Sequence, residues 1–315
     1  MALSKLYMRL RRLFEPIRKL QNRDRLKNMR IIDTHTHVIS SDIQKYPLNP
    51  IGGKQSDWSA TRPVTDTELL RAMDEAGVDT AIVVQASTAY GHDNSYVAAS
   101  VAAHPDRFAG VFSVDMLSAS AVQDIRKWTD AGLVGLRLFT TGSTMPGQSP
   151  GLDDPRSFPG WAYCEAHDIP VCLQMTMDGI PALQNILKQF PKIRVLLDHF
   201  ARPNLSAGTP YTDASALFAL AEQPGVYLKL TDRTIRQAAS GRSTHADFFA
   251  RVLTSFGAKR VAWGSNFPSA EGSLKILLAD AKAALSILTE ADQAQILSGT
   301  AASIYHPLPA WTKRV

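Results

Sequence analysis

An Asp-Thr-His-Thr-His run, Asp33 to His37, follows the apolar pair Ile31-Ile32. Side chains alternate across an extended strand, so residues i and i+2 share a side and His35 and His37 are expected to converge on one ion or one substrate atom. That places a catalytic centre at the end of a first strand. Further polar residues close later apolar runs: Gln85, Arg137, Gln174, Asp198 with His199, Lys229 with Arg233 beyond it, and Asn266. Met175, Met177 and Phe267, which lie among them, read as packing residues.

Something must bring these distant residues together, and the chain from residue 31 onward supplies it. Short apolar runs begin at Ile31, Thr80, Phe108, Val134, Pro170, Arg194, Val226 and Arg260. Between them the apolar spacing turns helical, at Thr67 to Ala76, Ser95 to Ala103, Ser118 to Ala131, Ile180 to Phe190, Ala214 to Ala221 and Ala246 to Phe256. Strand–helix alternation predicts βα units around a parallel sheet, and eight of them in roughly 240 residues match a (β/α)8 TIM barrel. A doubly wound open sheet is the runner-up, but no G-x-G-x-x-G follows the first strand. In a barrel, the polar run ends ring one mouth. Two long connections, Val38 to Val64 with Tyr46, Lys54 and Trp58, and Thr140 to Pro159, would lie at that mouth and suit lids.

Composition narrows the function classes. At 315 residues and 45% hydrophobic content the chain can bury a substantial core, and no run approaches the roughly 18 apolar residues of a membrane span. The two cysteines, Cys164 and Cys172, form no disulfide framework and no zinc ribbon, so a reducing, cytoplasmic setting is expected. The formal net charge of +5 is uneven: between Lys5 and Arg30 ten basic residues face only Glu15 and Asp24, a local +8 that leaves −3 for the rest. A mildly acidic main domain argues against nucleic acid as a partner. Residues 1 to 29 carry Leu3, Leu6, Leu10, Leu13, Ile17 and Leu20 at helical spacing, a basic amphipathic arm beside a barrel domain at 30 to 315. Such an arm would pack on its own domain or on a second copy in a homo-oligomer; membrane-surface contact, organelle targeting and a natural start at Met29 are the other readings.

Four segments, taken in order, resemble the lactonase branch of the amidohydrolase superfamily: the strand-one Asp33-Thr34-His35-Thr36-His37, Val84-Gln85-Ala86-Ser87 followed by Gly91-His92-Asp93-Asn94, Leu197-Asp198-His199-Phe200-Ala201-Arg202-Pro203, and Trp263-Gly264-Ser265-Asn266-Phe267-Pro268. The resemblance covers about residues 30 to 305. It implies a distorted (β/α)8 barrel in which His35, His37, His199 and the position of Asn266 surround a reacting carbonyl, with Arg137 and Arg233 holding substrate carboxylates and Gln85 and Gln174 among the binding residues.

Two departures from that pattern bear on the chemistry. Relatives rich in metal place a His after strand five and a bridging Lys after strand four, where this chain has Gln174 and Arg137 or its neighbours, which argues against a binuclear centre. His35, His37 and His199 would still suffice for one divalent ion, Zn²⁺ first, with an open position for water; a metal-free site is the other expectation. Asn266 stands where the family has Asp, and a carboxamide cannot take a proton from water near neutral pH. The expected activity is hydrolysis of a lactone of a small carboxylated molecule. Lactone isomerisation, which Asn266 favours, metal-dependent decarboxylation, and a barrel that has lost catalysis and binds a ligand or partner are the alternatives.

Overall fold

The computed structural model describes residues 29–140, 142 and 151–310. The expected helical arm, apart from Met29, and most of the tip of the connection after the fourth strand lie outside these residues. Eight strands, all parallel and neighbouring in chain order, form the sheet: β1 (Ile32–Thr36), β2 (Thr80–Val84), β3 (Phe108–Ser113), β4 (Gly135–Phe139), β5 (Val171–Gln174), β6 (Val195–Asp198), β7 (Val226–Leu230) and β8 (Val261–Trp263). Each coincides with one of the apolar runs, as strands buried on both faces require. The ring is nearly closed by the segment after β8, where Thr36 bridges Phe267, the His37 amide donates to the Phe267 carbonyl at 2.9 Å, and the Asn266 amide donates to the His35 carbonyl at 2.8 Å. This is the (β/α)8 barrel.

The outer layer contains α1 (Asp66–Ala76), α2 (Ser95–Ala103), α3 (Ala121–Asp130), α4 (Phe158–Ala166), α5 (Ile180–Gln189), α6 (Ser215–Ala219), α7 (His245–Ser255) and α8 (Leu274–Leu285). Its termini follow local chemistry: Thr65 and Glu68 form a reciprocal capping box at the start of α1, and Gly77, at φ 75°, ends it in the left-handed conformation. α4 and α8 fall outside the six helical stretches read from spacing. Of those six, Ala214 to Ala221 is the least regular, since only Ser215–Ala219 is α-helical. No helix among the described residues is long and apolar enough to cross a membrane.

Two apolar clusters follow from the alternation of the strands. Odd-numbered β2 residues and their equivalents pack outward against the helices, while Ile32, Ile82, Val84, Val111, Cys172 and Leu196 fill the barrel interior. Ala301, Ile304 and Tyr305 join that interior cluster from a C-terminal helix, and the Tyr305 hydroxyl meets Cys172 Sγ at 3.2 Å. The same phase brings Arg137, Gln174, Asp198 and Lys229 inward. Strand β1 needs a correction to do so. Its register against β2 shifts by one residue between Asp33 and Thr36, a bulge that reverses the phase. Ile32 faces the interior below the bulge, and His35 and His37 face it above. Without the bulge, strict alternation from Ile32 would turn both histidines towards the helices.

Candidate active site

At the C-terminal mouth a cavity of about 310 Å³ is bounded by His37, Arg137, Phe139, Gln174, His199, Arg202, Arg233 and Asn266, with Ser56, Trp58, Ser87, Thr88 and Ser269 completing its walls. Of the expected site residues, His37, Arg137, Gln174, His199, Arg233 and Asn266 therefore meet around one space. His35 lies beneath it, fully buried. Gln85 does not reach it. Ile82 and Val84 face the interior, so Gln85 falls on the outer phase, and its Nε2 donates to the carbonyls of Gly91 (3.3 Å) and Asp93 (2.6 Å). It shapes the loop after β2, and the expectation that it contacts substrate is corrected accordingly.

The floor is a buried charge cluster built from three strands. Asp198 on β6 lies 2.8 Å from Lys229 Nζ through Oδ1 and accepts from Arg137 Nε at 2.9 Å through Oδ2. Burial alone would push the Asp198 carboxyl up; Lys229, His35 and Arg137 together outweigh it and hold the group well below the usual carboxylate range. Burial would likewise lower Lys229, and Asp198 raises it instead. Arg137 Nη2 donates to Gln174 Oε1 at 3.2 Å and faces His35 Nε2 at 3.5 Å. A guanidinium has only donors, so His35 Nε2 holds the lone pair and its proton sits on Nδ1, 3.5 Å from Asp198 Oδ1. Desolvation keeps this imidazole neutral, well below its ordinary pKa.

The other two histidines are also neutral. His37 Nδ1 lies 2.8 Å from the Val84 carbonyl, which can only accept, so the proton is on Nδ1 and Nε2 carries a free lone pair. Burial, with help from Arg137, lowers this group to about 3. Trp58, from the short helix Asp57–Thr61 in the connection after β1, stacks on the ring at 5.1 Å. His199 is brought down to about 3 by burial and by the neighbouring arginines, against the pull of Asp198. Its Nδ1 meets the Thr231 hydroxyl at 2.7 Å, a group that can donate or accept and so leaves Nε2 able to take either role.

Backbone conformation aims His199. As the residue after inward-facing Asp198 it would point out of the interior, but His199, Phe200, Ala201 and Arg202 all have positive φ, between 53° and 57°. Four successive non-glycine residues in a left-handed turn cost about 1–2 kcal/mol each, and strain of this kind persists only where packing overrides it. Here Phe200 and Ala201 are wholly buried, and the turn closes with the Arg202 amide donating to the His199 carbonyl at 2.9 Å. Asn266, at φ 63°, is placed by a second special turn. Gly264, just before it, lets the chain after β8 pass against β1, since a Cβ there would stand 2.6 Å from His35 Cβ. Asp33 ties the two ends together, its Oδ1 accepting from the amides of His35 (3.0 Å) and Ser265 (2.8 Å). The Asn266 carboxamide reaches Asp232 Oδ1 at 3.5 Å, at the edge of a neighbouring depression that shares Arg233, Asn266 and Ser269 with the cavity.

The three histidines do not fit a divalent ion as folded. His35 has its only lone pair directed at the Arg137 guanidinium, and among the described residues no group of three His, Cys, Asp or Glu side chains is arranged to hold a metal. Sequence reasoning gave no role to Arg202 or to the Asp198–Lys229 pair. Arg202 carries a signal only in retrospect, as a cation three residues after His199.

A parallel eight-stranded barrel that gathers neutral imidazoles and guanidiniums at its C-terminal mouth belongs to the TIM-barrel class. More narrowly, residues 32–306 match the amidohydrolase family model, and the chain belongs to that family. It is 28% identical over 242 residues to L-fucono-1,5-lactonase of Burkholderia ambifaria, covering 75% of this chain and 80% of that protein. With D-galactarolactone isomerase of Agrobacterium fabrum it shares 25% identity, over 75% of this chain and 76% of the relative. A zinc-bound amidohydrolase structure from Burkholderia multivorans superposes with a TM-score of 0.68 at 20% identity, over 87% of this chain and 98% of that one.

Proposed function

We propose that the chain hydrolyses a lactone of a small carboxylated molecule. The observation that carries this reading is the pairing of two neutral histidines with a guanidinium around one cavity. The two relatives described above both act, by name, on sugar lactones.

In this reading the lactone carbonyl lies against Arg137 and His199, whose N–H groups stabilise the oxyanion as water adds. His37 Nε2, its lone pair fixed by the Nδ1 contact with Val84, takes the proton of the attacking water. The new C–O bond forms, the ring C–O bond breaks, and the departing alkoxide recovers that proton from the His37 imidazolium. Arg233 anchors the carboxylate. His37 thus takes the part that a carboxylate at position 266 would otherwise play, and Asn266 orients water or a substrate hydroxyl. Arg137 and Lys229 supply fixed positive charge at the floor, so the scheme draws on no metal.

Asn266 favours isomerisation as a second reading, because a substrate hydroxyl can replace water as the nucleophile. One experiment separates the two: a panel of carboxylated lactones is incubated in H₂¹⁸O and the products are weighed. Hydrolysis puts one label in the new carboxylate, whereas isomerisation yields unlabelled lactone. Absence of turnover by both the native chain and Asn266→Asp would refute the lactone reading, and retention of full activity in His37→Gln would refute the assigned base.

A further inference from the structure

Asn266 stands where the resemblance leads one to expect a carboxylate, and a carboxylate from the next strand faces it. Strand β7 ends at Leu230, and the two residues that follow serve the strands on either side. The Thr231 hydroxyl meets His199 Nδ1 at 2.7 Å after β6, and Asp232 Oδ1 lies 3.5 Å from Asn266 Nδ2 after β8. Asp232 opens the short helix Asp232–Ala238, and its other oxygen, Oδ2, is paired with the Arg236 guanidinium one turn on. Only 10% of the Asp232 side chain is exposed, so water screens its charge little on the side of Asn266.

An ionised carboxylate only accepts hydrogen bonds, whereas a carboxamide has one donor end and one acceptor end. With Nδ2 turned to Asp232, donor meets acceptor; the flipped carboxamide would set oxygen against oxygen. The contact is long for a hydrogen bond, but the charge decides which end faces it. Oδ1 is the end left over, and it has no hydrogen-bond partner among the described residues. Asn266 bounds both the cavity and the neighbouring depression, while Asp232 stands on the depression side, which leaves Oδ1 for the cavity. The backbone is held at both ends: the Asn266 amide donates to the His35 carbonyl at 2.8 Å, and the Asn266 carbonyl accepts from the Ala270 amide at 2.7 Å. The other charged groups around the depression are Arg62, Arg233 and Glu271, of which Arg62 and Glu271 pair with each other at 3.7 Å.

We propose that Asp232 is a positioning residue, which holds the Asn266 carboxamide with Oδ1 turned into the cavity as the acceptor for the O–H of the attacking water or substrate hydroxyl. This rests on the reading of the cavity as a lactone site. The same pairing gives a physical reason for Asn at position 266. Asp at both places would set two negative charges side by side, and one of them would hold a proton or turn away. Asn266 and Asp232 are a matched pair, with the negative charge moved one side chain back from the reacting atoms.

Kinetics in two backgrounds, on a carboxylated lactone that the native chain turns over, test the pair. Asp232→Ala should lower kcat about tenfold with KM within about twofold, because the carboxamide can then flip. In the Asn266→Asp background the sign should reverse: adding Asp232→Ala removes the like charge and should raise kcat at least about threefold. A side chain with a structural role alone would lower activity in both backgrounds. The carboxamide also gives a readout that needs no turnover. In a ¹⁵N–¹H spectrum of the full chain, the side-chain amide pair that vanishes in Asn266→Ala should change position in Asp232→Ala and in Asp232→Asn. The second variant keeps the shape and removes the charge, so the test stays decisive if Asp232→Ala does not fold. An unmoved amide pair in the folded variants, or a loss of kcat in both backgrounds, would overturn the proposal. A displaced pair without any lactone turnover would refute the proposed reaction and leave the positioning role standing.

Discussion

Replacing either member of the Asp198–Lys229 pair tests whether the site floor is an electrostatic unit. Both side chains are wholly buried, 2.8 Å apart, and Asp198 has a second partner in Arg137 at 2.9 Å. Lys229→Met removes one cation and leaves Asp198 paired with Arg137, so the cost should sit at the low end of the range for a broken buried pair, about 3 kcal/mol. Asp198→Asn leaves two cations facing each other without a counter-ion and should cost about 5 kcal/mol. For a chain of this size about 2 °C of Tm accompanies each kcal/mol, giving drops of about 6 °C and about 10 °C in a thermal melt. The double variant should cost at least about 2 kcal/mol less than the two single costs combined, since each substitution removes the charge that the other strands. The pH dependence has a definite sign. Asp198 is depressed in the folded state, so its contribution is present above the unfolded carboxylate value and is lost as pH falls through the folded one. Lys229 is raised, so its contribution is full below its unfolded value and is lost only as pH rises beyond it. Additive costs, or a Lys229→Met variant as unstable as Asp198→Asn, would refute the cluster as an energetic unit.

Other consequences follow from the same geometry. His37 and His199, both lowered to about 3, stay unprotonated in the fold while the unfolded chain takes up protons below pH 6.5. Stability should therefore fall by at least about 4 kcal/mol between pH 7 and pH 5 from these two groups, with His35 adding to it, as read by urea denaturation, and a flat profile over that span would contradict buried neutral imidazoles. Trp58→Ala removes the ring stacked on His37 and should lower kcat/KM about fivefold, the equivalent of about 1 kcal/mol; an unchanged value would show that the tryptophan does not steady the base. Thr231→Val takes away the hydroxyl at His199 Nδ1 and should reduce kcat about tenfold with KM nearly constant. Loss in KM alone would move His199 from the reaction to binding.

The barrel was legible because parallel strands buried on both faces read as continuous apolar runs, and segments such as Thr80–Val84 and Val195–Asp198 have few other uses. The mouth residues were legible for the same reason, as polar groups closing those runs. Gln85 shows the limit: whether a residue one step beyond a strand turns inward depends on phase, and Ile82 and Val84 set that phase in three dimensions. His35 and His37 illustrate the converse. Their shared side is a property of the sequence, but the bulge that turns the side inward is not. Arg202 was hidden because Phe-Ala-Arg carries no glycine to announce a left-handed turn. The Asp198, Lys229 and Arg137 cluster joins three strands across the barrel, and no local spacing encodes such a contact. The basic arm at residues 1–28 lies outside the described residues.

The left-handed turn after β6 holds the His199 imidazole and the Arg202 guanidinium on one short piece of backbone. Mutations that retune Arg202 by shifting the turn will also displace His199, so new specificities in this scaffold should arise from residues off the turn, such as Trp58, Phe139 and Ser269 on the other walls. Selection for a new substrate would then leave Phe200 and Ala201 untouched while the surrounding loops drift.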